Sequence, residues 1–267
     1  MFYWCVSSEQ GEEKASPERE FQNKTMPEQP YLIINCAEGD LQIILADRDF
    51  PLYTQSLYTP GKAMKHIAPG IDTALHRLEL APADLTGIAC ITGPGSFTGI
   101  RMSLAHAQGM ACTLDIPMAG ISYFQALALG PGPLLSGSLW ILIHSRRNQV
   151  YGQCFSAPDL QSLTPAQNLQ LDSLKPLLDS QSSPVYLLGS GVRKNPDFFQ
   201  ESHGNVLPPV WDTPRPQDLA ALAARARWSR SLPDPEYLRA SEAEENLVSI
   251  AAQRGLDLDR AREILEE

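Results

Sequence analysis

The sequence predicts an α/β protein built as two lobes, and three observations carry that expectation. Each half opens with two short apolar runs around a polar tip and then alternates strands with helices. A glycine–proline breaker, Gly130-Pro131-Gly132-Pro133, separates the halves. The chain has 267 residues and 43% hydrophobic content, enough for one large domain or two packed lobes.

Residues 1–29 carry Glu9, Glu12, Glu13, Glu18, Glu20 and Glu28 without apolar periodicity, so they read as a disordered arm, with Met26 as an alternative start. The first lobe is expected over 30–130. Tyr31–Ile34 and Leu41–Leu45 are β-type runs flanking Glu38-Gly39-Asp40, a hairpin signal. Lys62–Leu80 places Met64, Ile67, Ile71, Ala74, Leu75 and Leu78 at helical spacing. Gly87–Ile91 is a strand, followed by the glycine turn Gly93-Pro94-Gly95-Ser96-Phe97-Thr98-Gly99-Ile100-Arg101 and a helix to Leu114. Ser96 or Thr98 can cap that helix by accepting from a free backbone N–H. Ile116–Ile121 is a strand, and a short helix runs from Ser122 through Leu129.

The second lobe is expected over 131–231. It begins with a hairpin of Ser138–Ile143 and Gln149–Phe155, then has a short helix near Leu171–Leu178 and a strand at Val185–Leu188. An alanine-rich helix over Gln217–Trp228 closes it. A tail over 232–267 ends in two short amphipathic helices around Gly255.

On the helix after the glycine turn, Gly99, Ser103, Ala107 and Ala111 recur every four residues, with Ala105 and Gly109 beside them. Residues so spaced stack on one face, which makes a shallow groove. Each internal glycine costs about 1 kcal/mol relative to alanine, so close approach of another backbone is the expected compensation. That backbone belongs to the lobe's own sheet or to a partner. On composition alone the lobe's own sheet is the commoner outcome.

Composition narrows the chemistry. The formal charge of −10, with only small Lys/Arg clusters, argues against binding nucleic acid unaided. No apolar run approaches the ~18 residues of a membrane span. Met1–Val6 is too short for a signal core, so a cytoplasmic location is expected. Cys5, Cys36, Cys90, Cys112 and Cys154 are widely spaced and form no C-x-x-C, which points away from disulfides and zinc. The turn matches neither nucleotide fingerprint, G-x-x-x-x-G-K-[ST] or G-x-G-x-x-G. Ser96 is flanked by Pro94 and Thr98, so the G-x-S-x-G nucleophile elbow is absent.

GPGSFTGIR followed by SLAHAQGMACTLDIPMAGISYFQALA resembles the TsaB (YeaZ) family, dimerization subunits of the bacterial tRNA threonylcarbamoyladenosine machinery. The resemblance runs from Tyr31 to Leu247. It includes Ser145-Arg146-Arg147-Asn148-Gln149-Val150-Tyr151, Leu188-Gly189-Ser190-Gly191 and Pro235-Glu236-Tyr237-Leu238-Arg239. It implies a two-lobed actin-like, hsp70-like fold. It also implies a non-catalytic scaffold that binds the catalytic paralogue TsaD, with the ATPase TsaE joining the pair. The complex transfers threonylcarbamoyl to N6 of the adenosine at position 37, so tRNA would be reached only through the partners.

The expected partner face comprises helices 62–80 and 99–114, with Met64, Ile67, Ile71, Gly99, Arg101, Ser103, Ala107 and Ala111 as candidate contacts. Arg101 could pair across a subunit interface or stand exposed in solvent. A homodimer is the other assembly, and a weak ATPase or hydrolase is the alternative activity.

Actin-like ATPases hold Mg²⁺ with acids at strand-turn tips. Here Asn35, His144 and Ser190 occupy the three corresponding positions, and none supplies negative charge. The catalytic paralogues carry an H-x-x-x-H pair, whereas no two of His66, His76, His106, His144 and His203 are four apart. No cofactor, metal or catalytic residue is therefore expected.

Overall fold

The computed structural model describes residues 28–181, 184–200 and 204–239. Its two five-stranded sheets repeat one topology. In the first, β1 (Pro30–Asn35), β2 (Asp40–Asp47) and β3 (Phe50–Tyr58) form an antiparallel meander. After α1 (Met64–Arg77), β4 (Gly87–Gly93) pairs parallel to β1; after α2 (Phe97–Leu114), β5 (Met118–Ser122) pairs parallel to β4. The short α3 (Tyr123–Leu129) leads to the second sheet.

There β6 (Gly137–Arg146), β7 (Gln149–Ala157) and β8 (Gln167–Gln170) repeat the meander. Past α4 (Leu171–Asp179), β9 (Val185–Leu188) pairs parallel to β6. Past α5 (Ser190–Lys194) and α6 (Pro196–Gln200), β10 (Asn205–Val206) pairs parallel to β9, and α7 (Pro216–Arg225) follows. The strand orders β3-β2-β1-β4-β5 and β8-β7-β6-β9-β10 match element for element. This duplicated lobe is the actin-like arrangement.

Burial explains the layers. Strands β1, β4 and β6 are apolar along both faces, as strands covered on both sides must be. The outer face of the first sheet is covered by α1 and α2 through Ile67, Ile71, Ile100 and Leu104. Leu174, Leu178, Val192 and Phe199 cover the outer face of the second. Between the sheets one continuous core joins Ile33 and Ile121 to Ile141 and Leu188. Helix α3 lies in this layer with Tyr123, Phe124, Ala126, Leu127 and Ala128 buried, so its apolar residues are not confined to one stripe.

Several elements differ from the sequence expectation. The helix expected to close the second lobe, α7, packs on β1, β3 and β5 of the first sheet. Its Leu219, Ala220 and Ala223 enter the inter-sheet core, and the Tyr31 hydroxyl donates to Ala220 O at 3.1 Å. The first lobe therefore needs residues from beyond 215, and a division at 131 and 231 does not describe the packing. Strand β3 was not anticipated, because an edge strand that opens Phe50-Pro51 and stays half-exposed lacks the apolar signal. The polar arm, apart from residues 28 and 29, and the tail from 240 onward lie outside the described residues.

Candidate functional site between the lobes

The cleft is built where each lobe turns from a strand into a helix. Asn35 ends β1 and is 2% exposed. Its Oδ1 accepts from Ala37 N at 3.0 Å and its Nδ2 donates to Gln42 Oε1 at 2.8 Å, so both ends of the amide shape the hairpin. The hairpin in turn clasps α2: Ser96 N donates to Ala37 O at 2.6 Å. A Cβ on Gly95 would stand 2.1 Å from Ala37 O, and one on Gly99 would stand 2.1 Å from Cys36 O. These two glycines are needed because the backbone of the same lobe lies against them. Ser96 caps α2, its Oγ accepting from Gly99 N at 3.2 Å. The second lobe repeats the device, for a Cβ on Gly189 or Gly191 would lie within 3 Å of Leu142 O.

These turns face each other across a cavity of about 610 Å³. Glu38 enters it from the first lobe and receives the Tyr123 hydroxyl at 3.2 Å. Burial raises the Glu38 carboxyl above its ordinary value of 4.5. The nearby charges of Asp212 and Asp40 push the same way, and hydrogen bonds from Ser190 and Tyr123 oppose them. Burial likewise holds the Tyr123 phenol well above 10. From the second lobe, Ser190 Oγ accepts from His144 N at 2.9 Å, and its hydroxyl stands near enough to Glu38 to favour the charged carboxylate.

His144 and Lys194 line the same cavity, and burial first, then the Lys194 charge, lowers the His144 pKa. Arg193 pairs with Asp212 at 2.7 Å, and Asp212 also receives Gly189 N at 3.1 Å. Among the described residues no three His, Cys, Asp or Glu side chains converge as metal ligands.

The chemistry of the cleft differs from the sequence expectation in one respect. Asn35, His144 and Ser190 do occupy the turns, but a carboxylate is nevertheless present. The sequence marks Glu38 only as part of the hairpin turn. Its carboxyl accepts from Tyr123, and burial disfavours its charged form.

The eight candidate partner contacts do not form one surface. Ile67, Ile71, Ser103, Ala107 and Ala111 are buried in the first lobe's own core. Ser103 Oγ donates to Ile100 O at 3.0 Å, and Ser103 O receives Cys90 Sγ at 3.8 Å. Gly99 is packed on Cys36, as described above. These six are corrected to intramolecular packing, because the small-residue row lets α2 lie close on β4 and β1. Met64, 67% exposed, and Arg101 remain on the surface. The neighbouring row of α2, Ala105, Gly109 and Cys112, is exposed, and a Cβ on Gly109 would meet nothing. Gly109 borders an apolar groove with Pro82, His106, Met110 and Leu114.

A profile of the TsaD family, tRNA N6-adenosine threonylcarbamoyltransferase, matches residues 62–247. The Bacillus subtilis TsaB protein of tRNA threonylcarbamoyladenosine biosynthesis is 28% identical over 223 residues, covering 80% of this chain and 95% of that one. The chain belongs to the TsaB (YeaZ) family. The Escherichia coli TsaB protein is 27% identical over 192 residues, covering 67% of this chain and 82% of its own. Among solved structures, YeaZ from Pseudomonas aeruginosa superposes with a TM-score of 0.62 at 18% identity, covering 87% of this chain and 97% of that one. A second Pseudomonas aeruginosa structure, of a protein similar to YeaZ, gives 0.67 at 20% identity and covers 79% and 100%. Both establish the fold. No helix among the described residues of this TsaB-family chain is long and apolar enough to cross a membrane.

Proposed function

We propose that this chain is a non-catalytic partner subunit in tRNA threonylcarbamoyladenosine biosynthesis. It works in the cytoplasm and holds the catalytic relative TsaD against the exposed faces of α1 and α2. TsaE joins the pair, and tRNA is reached through the complex.

The observation that carries this reading is Gly109. It lies inside an 18-residue helix, is exposed, and has open space where a side chain would go. Among the described residues nothing offsets the roughly 1 kcal/mol that glycine costs there. A second backbone lying on the Ala105–Gly109 row offsets it, and α1, packed beside α2, adds exposed Met64 to the same lobe's surface. The non-catalytic part is supported by the cleft, where Asn35 is hydrogen-bonded into the hairpin and no acid stands at residue 35, 144 or 190.

The test is Gly109→Leu. The substituted chain should melt no lower than the parent, while affinity for TsaD falls at least tenfold, about 1.4 kcal/mol. Undiminished TsaD binding would remove α2 from the interface. ATP turnover by the isolated chain that disappears in Glu38→Gln would overturn the non-catalytic reading. Sedimentation without TsaD measures self-pairing through the same groove.

A further inference from the structure

Beyond α7 the chain turns back along the first lobe as an extended strap. Ser229 and Met118 exchange backbone bonds at 2.9 and 2.7 Å, and Glu236 N donates to Thr92 O at 2.8 Å near the tip of β4. Two glycines leave room for it. A Cβ on Gly120 would lie 3.0 Å from Pro233 Cβ, and one on Gly93 would lie 2.9 Å from Glu236 O. Gly93 belongs to the glycine turn, so the turn that sets α2 is also shaped to seat the strap.

The end of the strap is held by side chains of α2. The Tyr237 ring stacks on Phe97 with centroids 4.6 Å apart and planes 4° from parallel. Arg101 lies over both rings, 5.1 Å from Phe97 and 5.3 Å from Tyr237, and its Nε donates to the Tyr237 hydroxyl at 2.9 Å. Two residues later Arg239 reaches the interlobe cavity, which it lines together with Phe97, Arg101, His144 and Lys194.

We propose that residues 228–239 are a latch. Tyr237, seated on Phe97 and Arg101, holds Arg239 at the interlobe cleft, and its release withdraws Arg239 and widens the access that half-buried His144 already has. Arg101 is the control point, because it is exposed on α2. A carboxylate or phosphate competes for a guanidinium more strongly than a phenol does, so an anionic group arriving at α2 loosens the latch. The device does not depend on the partner reading and operates in the isolated chain.

Hydrogen exchange at the Glu236 amide reports the strap, and the rate of His144 acylation by diethylpyrocarbonate, read by mass spectrometry, reports the cleft. In Tyr237→Ala both should rise, the exchange at least tenfold, with Leu32 and Ile88 amides in the core unchanged. Arg101→Ala should shift both in the same direction, and Tyr237→Phe, which keeps the stack but loses the hydroxyl, should shift both less. If Tyr237→Ala does not fold, the Arg101→Ala and Tyr237→Phe pair carries the test. Faster Glu236 exchange with unchanged His144 acylation overturns the latch as a cleft wall. Unchanged Glu236 exchange overturns Tyr237 as its anchor.

Discussion

Asn35 both donates and accepts within the first hairpin, and an aspartate there would keep the bond from Ala37 N but lose the donor that faces Gln42. Gln42 presents Oε1 to Asn35 because its Nε2 is committed to Pro214 O at 3.0 Å, so a carboxylate oxygen would meet an acceptor in a dry site. Asn35→Asp should therefore cost about 1–3 kcal/mol. The cost should be larger at high pH, where the buried acid must ionise, and urea unfolding across pH checks both statements.

Glu38 gives the complementary case. Its folded carboxyl keeps its proton above the ordinary 4.5, so the folded state binds more protons in that window and stability falls as pH rises through it. Glu38→Gln should flatten that slope, leaving the midpoint unchanged near about pH 4 and raising it near about pH 8. An unaltered slope would mean Glu38 titrates as if exposed. The absence of an acid at residue 35 could be read from the sequence. The buried acid at residue 38 could not, since Glu38-Gly39-Asp40 makes a good turn whether or not its first carboxylate points inward. Only Tyr123 and Ser190, distant in sequence, decide that.

At the scale of the element, α2 shows what periodicity can and cannot reveal. The i, i+4 row of small residues was legible, as was a cap at Ser96 or Thr98, which Ser96 supplies. The row's destination was not, because close packing inside a lobe and close packing against a partner select the same residues. The structure separates two adjacent rows: Ser103, Ala107 and Ala111 face the sheet, whereas Ala105 and Gly109 face outward. Substitutions on the two rows should behave oppositely in the isolated chain. Ser103→Leu overfills a fully buried site and should lose about 1–3 kcal/mol. Gly109→Ala adds a methyl group to open space in a helix and should gain about 0.8–1 kcal/mol. Thermal melts of both variants without any partner test the assignment, and a destabilised Gly109→Ala would return that row to the core.

The whole molecule is a duplication whose halves cannot be cut apart at the place where the sequence breaks. Gly130–Pro133 does fall between the last strand of one sheet and the first of the other. Apolar runs, turn residues and helical periods are local, and they foretold the hairpins, α1, α2 and the strands β4, β5 and β9, but not the two-residue β10. The return of α7 to the first sheet is not local. Its alanine-rich pattern shows a face to be buried and says nothing of the sheet that buries it.

The consequence is energetic. The inner faces of β1, β4 and β5 present Ile33, Ala89, Ile91, Ala119 and Ile121 to a layer filled by α3, α7 and the second sheet. A fragment ending at residue 130 would leave this layer open to water, at roughly 25 cal/mol for each Å² of apolar surface exposed. It would also lose the edge-on packing of Trp228 against Tyr31 at 5.5 Å. Such a fragment should unfold without a cooperative transition, while the full chain, with one core spanning both sheets, should unfold in a single step. Joining residues 208–239 to the fragment through a flexible linker should restore part of the cooperativity, because α7 and the strap then cover one side of the exposed layer. If the 28–130 fragment alone melts sharply, with a calorimetric enthalpy matching its van't Hoff value, then the first lobe is a self-sufficient domain and α7 is dispensable to it.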